Sequence, residues 1–110
     1  MNKTMLIEIL LDPTSSEADK DDAAIELGNH FDDEETIDTL IKVSNSRDID
    51  EMISASCGES LGQIWLRKAK VDYEKLACLN GVALTEALSL IKQQRPDWYE
   101  KYIKQTSGKK

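Results

Sequence analysis

Ala23-Ala24-Ile25-Glu26-Leu27-Gly28 and Cys57-Gly58-Glu59-Ser60-Leu61-Gly62 are the two stretches that decide how this 110-residue chain is read. Each sets two small residues one helical turn ahead of a Leu-Gly pair, and each is followed by a short polar stretch and a second helical pattern. Inside a soluble helix a glycine costs up to ~1 kcal/mol relative to alanine. Gly58 and Gly62, four residues apart on one side of a helix, therefore predict that another helix backbone comes close there. A repeated helical hairpin with small residues on its first helix is the pattern of an α-solenoid, each pair stacking on the last. An irregular bundle is the alternative, but it would not require the Leu-Gly echo.

Outward from the first stretch, Ala24, Leu27, Gly28 and Phe31 fall at i, i+3, i+4 and i+7, the buried stripe of an amphipathic helix. Thr14-Ser15-Ser16-Glu17 reads as its capping box, with Thr14 as the cap. A preceding helix over Lys3 to Leu11 stops at Asp12-Pro13, because the residue before proline is pushed out of the helical region. Asp32-Asp33-Glu34-Glu35 caps a third helix that buries Ile37, Leu40, Ile41 and Val43 and ends at Ser44-Asn45-Ser46. Asp48-Ile49-Asp50-Glu51 opens the longest helix, to about Arg67, with the stripe Ile53, Cys57, Leu61, Ile64 and Trp65. A fifth helix from Val71-Asp72 uses Tyr73, Leu76 and Leu79, and Asn80-Gly81 closes its end in the left-handed region. A sixth buries Leu84, Ala87, Leu88 and Ile91, and Pro96 begins a seventh with Trp98, Tyr99, Tyr102 and Ile103. The expectation is one all-α domain over 1–105, six to seven helices in antiparallel hairpins (second with third, fourth with fifth, sixth with seventh), and a flexible tail over 106–110.

Charge is unevenly placed. Asp12 to Asp38 holds eleven acidic residues and one lysine, a local charge of −10, so the rest sums to +3 against −7 for the chain. Such a field argues against nucleic acid or an anionic membrane as ligand of the N-terminal half and suits a basic protein partner. A solvated helix face is the plain alternative. No segment is apolar enough to span a bilayer, and the start, Met5 to Leu11, is short and carries Glu8, unlike a secretory signal. Cys57 and Cys78 read as buried free thiols of a reducing cytoplasm, with a disulfide as the alternative.

Enzyme chemistry finds little purchase. His30 is the lone histidine and has no Cys or second His at ligand spacing, so it reads as a helix-end residue and no metal is expected. Carboxylate pairs such as Asp21/Asp22 lie in a solvated run with nothing to drive their pKa values apart. No phosphate loop, nucleophile elbow or cofactor motif appears. The chain reads as a non-enzyme without a cofactor.

From Ala23-Ala24-Ile25-Glu26-Leu27-Gly28 and the following Glu34-Glu35-Thr36-Ile37-Asp38-Thr39-Leu40, the chain resembles a HEAT-like repeat over about Ser16 to Leu79. It departs from that pattern in having no regular proline turn in its first helices and no Asp/Arg ladder. Ser56-Cys57-Gly58-Glu59-Ser60-Leu61-Gly62-Gln63-Ile64-Trp65, in a small acidic chain of this kind, resembles the immunity proteins of bacterial contact-dependent growth inhibition systems. That resemblance implies a cytoplasmic, monomeric protein that binds one cognate toxin domain, often a basic nuclease, and blocks it. The expected contacts are Asp32, Asp33, Glu34, Glu35 and Asp38, since a helix cap needs only one or two carboxylates, with Asp19 and Asp22 nearby. Glu59 is a further candidate, with pairing to Lys75 as its structural alternative. The alternative function is a HEAT-like scaffold or adaptor serving another complex.

Overall fold

The computed structural model describes residues 2–107, which form seven helices and no strand. These are α1 (Lys3–Leu11), α2 (Glu17–His30), α3 (Glu34–Ser44), α4 (Glu51–Lys68), α5 (Tyr73–Leu76), α6 (Gly81–Gln94) and α7 (Pro96–Ser107). Most helices start on a short polar side chain that accepts a free backbone N–H: Asn2, Ser16, Asp33, Asp50 and Asp72. The second helix is capped by Ser16, whose Oγ accepts from Asp19 N at 3.1 Å, and not by Thr14. Thr14 is held one turn earlier, its N–H and hydroxyl both donating to Asp12 Oδ1 at 2.8 Å, which closes the turn around Pro13.

α4 is the centre of the molecule and packs against α2, α3 and α6. Its stripe Ile53, Cys57, Leu61, Ile64 and Trp65 is buried to the last atom or nearly so. α2 and α4 run parallel, because their contacts advance together along both. Ser56 Oγ donates to Asp21 Oδ1 (2.6 Å) and Ser60 Oγ to the Ala24 carbonyl (2.8 Å). Further along, Arg67 donates to the Gly28 and Phe31 carbonyls (3.0 Å each) and Lys68 to the Asp32 carbonyl (3.1 Å). The two Arg67 bonds satisfy carbonyls that the C-terminus of α2 leaves without helical partners, and Lys68 holds the residue just past its cap. α4 and α6 also run parallel, with Gly58 against Ala83 and Gly62 against Ala87 and Leu90.

The Leu-Gly echo is thereby explained. Ala24 and Gly28 face α4, and their equivalents Gly58 and Gly62 face α6. A Cβ on Gly58 would stand 2.1 Å from the Ala83 carbonyl oxygen, and one on Gly28 would stand 2.3 Å from Ser60 Cβ. The helices α2, α4 and α6 form one layer, on which α1 packs against α2, α3 against α4 and α7 against α6. The expected pairing of α6 with α7 is present. Those of α2 with α3 and α4 with α5 are not the main contacts, because the parallel packing of α2 on α4 and the shortness of α5 leave α3 on α4. This is an all-α helical-repeat architecture.

Local boundaries differ from the expectation in three places. α5 is a single turn, because Cys78 N and Leu79 N bond the carbonyls of Lys75 and Leu76 three residues back, which tightens the chain out of the helix. Asn80 and Gly81 begin α6 and do not close α5; Gly81 does take positive φ (57°), and Asn80 Nδ2 donates to Asn45 Oδ1. α7 continues to Ser107, two residues into the expected tail, with Thr106 Oγ1 donating to the Tyr102 and Ile103 carbonyls; the remainder of that tail lies outside the described residues. In α6 the fully buried residues are Ala83, Ala87 and Ile91, with Leu84 and Leu88 half-buried beside them. No helix among the described residues is long and apolar enough to cross a membrane.

Candidate protein-interaction surface

The five carboxylates at the start of α3 are brought together as expected, but four of them are ion-paired within the chain, two to each of two lysines. Asp33 is the N-cap: it accepts from Thr36 N (3.3 Å) and the Thr36 hydroxyl (2.7 Å), and Lys3 Nζ lies 3.0 Å away. Partial burial alone would push its carboxyl up; the bonds from Thr36 and Lys3 outweigh that and hold it at about 2. Lys3 also pairs with Glu35 at 2.9 Å. Lys75 pairs with Glu34 and, at 2.8 Å, with Asp38; hydrogen bonds to these two carboxylates raise its pKa. The surplus of charge beyond a helix cap therefore ties α1 and α5 to α3. Asp32 is exposed, and its carbonyl takes the bond from Lys68.

Asp19 and Asp22 are not neighbours of that cluster. They lie in the first half of α2, roughly 15 Å along its axis from the Phe31 end at ~1.5 Å per residue. Both are exposed, and neither joins an ion pair among the described residues. They border a groove of about 400 Å³ between α1 and α2, lined by Leu6, Ile9, Ala23 and Ile25, with Glu26 completing the acidic rim. Glu59 is exposed on the outer face of α4, and the alternative pairing with Lys75 does not form, because Lys75 is engaged by Glu34 and Asp38.

His30 is exposed in the last turn of α2, its Nε2 3.4 Å from Glu26. The thiols differ from each other. Cys57 is in the core, where burial and the nearby Asp21 charge push it up to about 12, whereas Cys78 is exposed and its carbonyl accepts from Asn45. Among the described residues, no group of three His, Cys, Asp or Glu side chains could hold a metal ion. Sequence reasoning missed Lys3, gave Lys75 Glu59 as its partner in place of Glu34 and Asp38, and missed the groove, which needs two helices to exist.

The fold and surface together define an acidic helical-repeat domain with a charged, groove-bearing edge. No family model matches this chain, no curated protein matches it, and no solved structure matches it.

Proposed function

We propose that the chain acts by stoichiometric binding of a basic protein, as an immunity protein that neutralises a cognate toxin domain. The observation that carries this reading is the division of its acidic residues. Those of α3 are spent on internal ion pairs, while Asp19 and Asp22 on α2 are exposed and have no cationic partner among the described residues. An unpaired field of one sign raises encounter rates with a basic partner and favours it over other surfaces. Asp32 and Glu59, also exposed and outside the ion pairs, are secondary contacts on this reading.

The test is a search of the neighbouring genes for a toxin domain, followed by co-expression of the chain with any such domain found. The expected result is rescue of growth, a one-to-one complex by calorimetry, and a loss of affinity of about tenfold or more for Asp19→Lys/Asp22→Lys. The helical circular dichroism of that variant should match the parent, since both side chains are exposed. Reversal at Asp33 and Glu35 is a poorer probe, because it also removes a cap and the Lys3 contacts. Absence of a complex overturns the reading, and a complex that leaves the toxin active favours the adaptor alternative.

A further inference from the structure

The groove between α1 and α2 carries more than charge. Leu6, Ile9 and Ala23 form its apolar floor beside Ile25, and Asp19, Asp22 and Glu26 form its rim. Met5, one turn before Ile9 on the same side of α1, extends the apolar strip and is 48% exposed, while Ile25 is 37% exposed. α1 packs against α2 and α3 and fully buries only Leu6 and Leu10. Six of its nine residues are apolar, in the segment Lys-Thr-Met-Leu-Ile-Glu-Ile-Leu-Leu. The edge therefore combines exposed apolar side chains with acidic neighbours, and among the described residues no basic side chain lines the groove.

We propose that this groove receives an amphipathic basic segment of the partner protein. Its apolar side chains lie along Met5, Ile9 and Ile25, and its Lys or Arg side chains pair with Asp19, Asp22 and Glu26. This is the helix-in-groove mode of peptide recognition, with an acidic rim setting the sign of the ligand. A second copy of the chain is a poorer occupant. Its amphipathic helix α7 carries two acids (Asp97, Glu100) against two lysines (Lys101, Lys104), so it offers an acidic rim no net positive charge, and it already buries Trp98 and Tyr102 in the core. The inference rests on reading the chain as a protein-binding domain, and it specifies the partner's chemistry at the contact.

The probe is a short Leu/Lys peptide with leucines at i, i+3, i+4 and i+7, set against a scrambled peptide of the same composition. Binding is followed by fluorescence anisotropy and by amide shifts in NMR. The helical-pattern peptide is expected to bind tighter than the scrambled one and to shift Met5, Ile9, Asp19, Asp22 and Ile25. Ile25→Gln, Met5→Gln and Asp19→Asn/Asp22→Asn should each weaken it by about tenfold, and only the last should flatten the salt dependence. Having both Ile25→Gln and Met5→Gln keeps the apolar test readable if one of them perturbs the fold. Equal binding of the scrambled peptide, shifts mapping elsewhere, no binding, or dimerisation through these residues without peptide would each overturn the proposal. If a toxin domain is neutralised by a chain whose groove ignores the peptide, the groove assignment fails and the immunity reading stands. If the groove takes the peptide and no toxin is neutralised, the reverse holds.

Discussion

The two layers of this molecule are held by different forces. Along α2, α4 and α6 the contact is made by absence: Gly28 lies where Ser60 leaves no room for a Cβ, and Gly58 where the Ala83 backbone leaves none. Along α1, α3 and α5 the contact is made by long side chains, with Lys3 spanning to Asp33 and Glu35, and Lys75 to Glu34 and Asp38. The first kind is dry, short-ranged and indifferent to salt. The second is half in water, screened by salt and open to protonation. The seam should therefore set the register and most of the stability, and the charged layer should orient the outer helices at little net gain.

The largest effect should come from closing the seam's gaps. Gly58→Ala places a methyl 2.1 Å from the Ala83 oxygen and 2.7 Å from its carbonyl carbon, all backbone that cannot rotate aside. Overpacking of this kind costs about 1–3 kcal/mol and occasionally more, against which the better helix propensity of alanine offsets only ~1 kcal/mol. Gly62→Ala is the internal control. Its new methyl meets the Leu90 side chain at 3.1 Å, a flexible neighbour that can shift, so the substitution should be close to neutral. Urea unfolding of the two variants, at low and high salt, checks both the order and its independence of salt. Equal stability of the two would remove the seam from its assigned role.

How much of this was legible follows the same division. The seam could be read because close packing leaves a local trace: a glycine pair inside a helix is an anomaly that only a neighbour explains, and Gly58 and Gly62 both face α6. The stripe Ile53 to Trp65 and the bounds of α1 were legible for similar reasons, resting on periodicity and on Pro13. The charged layer was not legible. Five acids beside one another look like a surface for a partner until Lys3 and Lys75 arrive from distant positions, and nothing in their local sequence announces that. Cys78 misled in the same way: its apolar neighbours suggest burial, but α5 lasts only one turn and leaves the side chain outside.

Of intermediate size is the cost of disturbing Asp33, which belongs to the charged layer yet also closes a helix. Asp33→Ala removes the N-cap of α3, a loss of about 1 kcal/mol. The acid dependence separates the two roles. Asp33 titrates near 2 in the folded chain and in the ordinary carboxylate range when unfolded, so its contribution is complete above that range. It is lost progressively as pH falls through about 2. Asp33→Asn keeps an oxygen that can cap α3 but cannot titrate, so its thermal midpoint should fall less steeply between pH 4 and pH 2 than the parent's. An identical acid limb in both proteins would show that the Lys3 and Thr36 contacts do not hold the carboxylate as the geometry implies.

The smallest effect should come from Lys75. Glu34 and Asp38 stand at i and i+4 on α3, like charges that repel each other when nothing lies between them. Lys75 resolves this by pairing with both, but their side chains are 65% and 62% exposed, so water screens the attraction. A coupling well under 1 kcal/mol between Lys75 and Asp38 is expected from a double-mutant cycle of Lys75→Met and Asp38→Asn. Raising salt to about 1 M, where the screening length falls to about 3 Å, should reduce that coupling further. Lys75→Met should be more damaging alone than in combination with Asp38→Asn, because removing the acid also removes the repulsion that the lysine was masking. A coupling that is large and unmoved by salt would mean that the outer layer, too, is held as a buried seam. The difference between the layers would then be one of residue type and not of force.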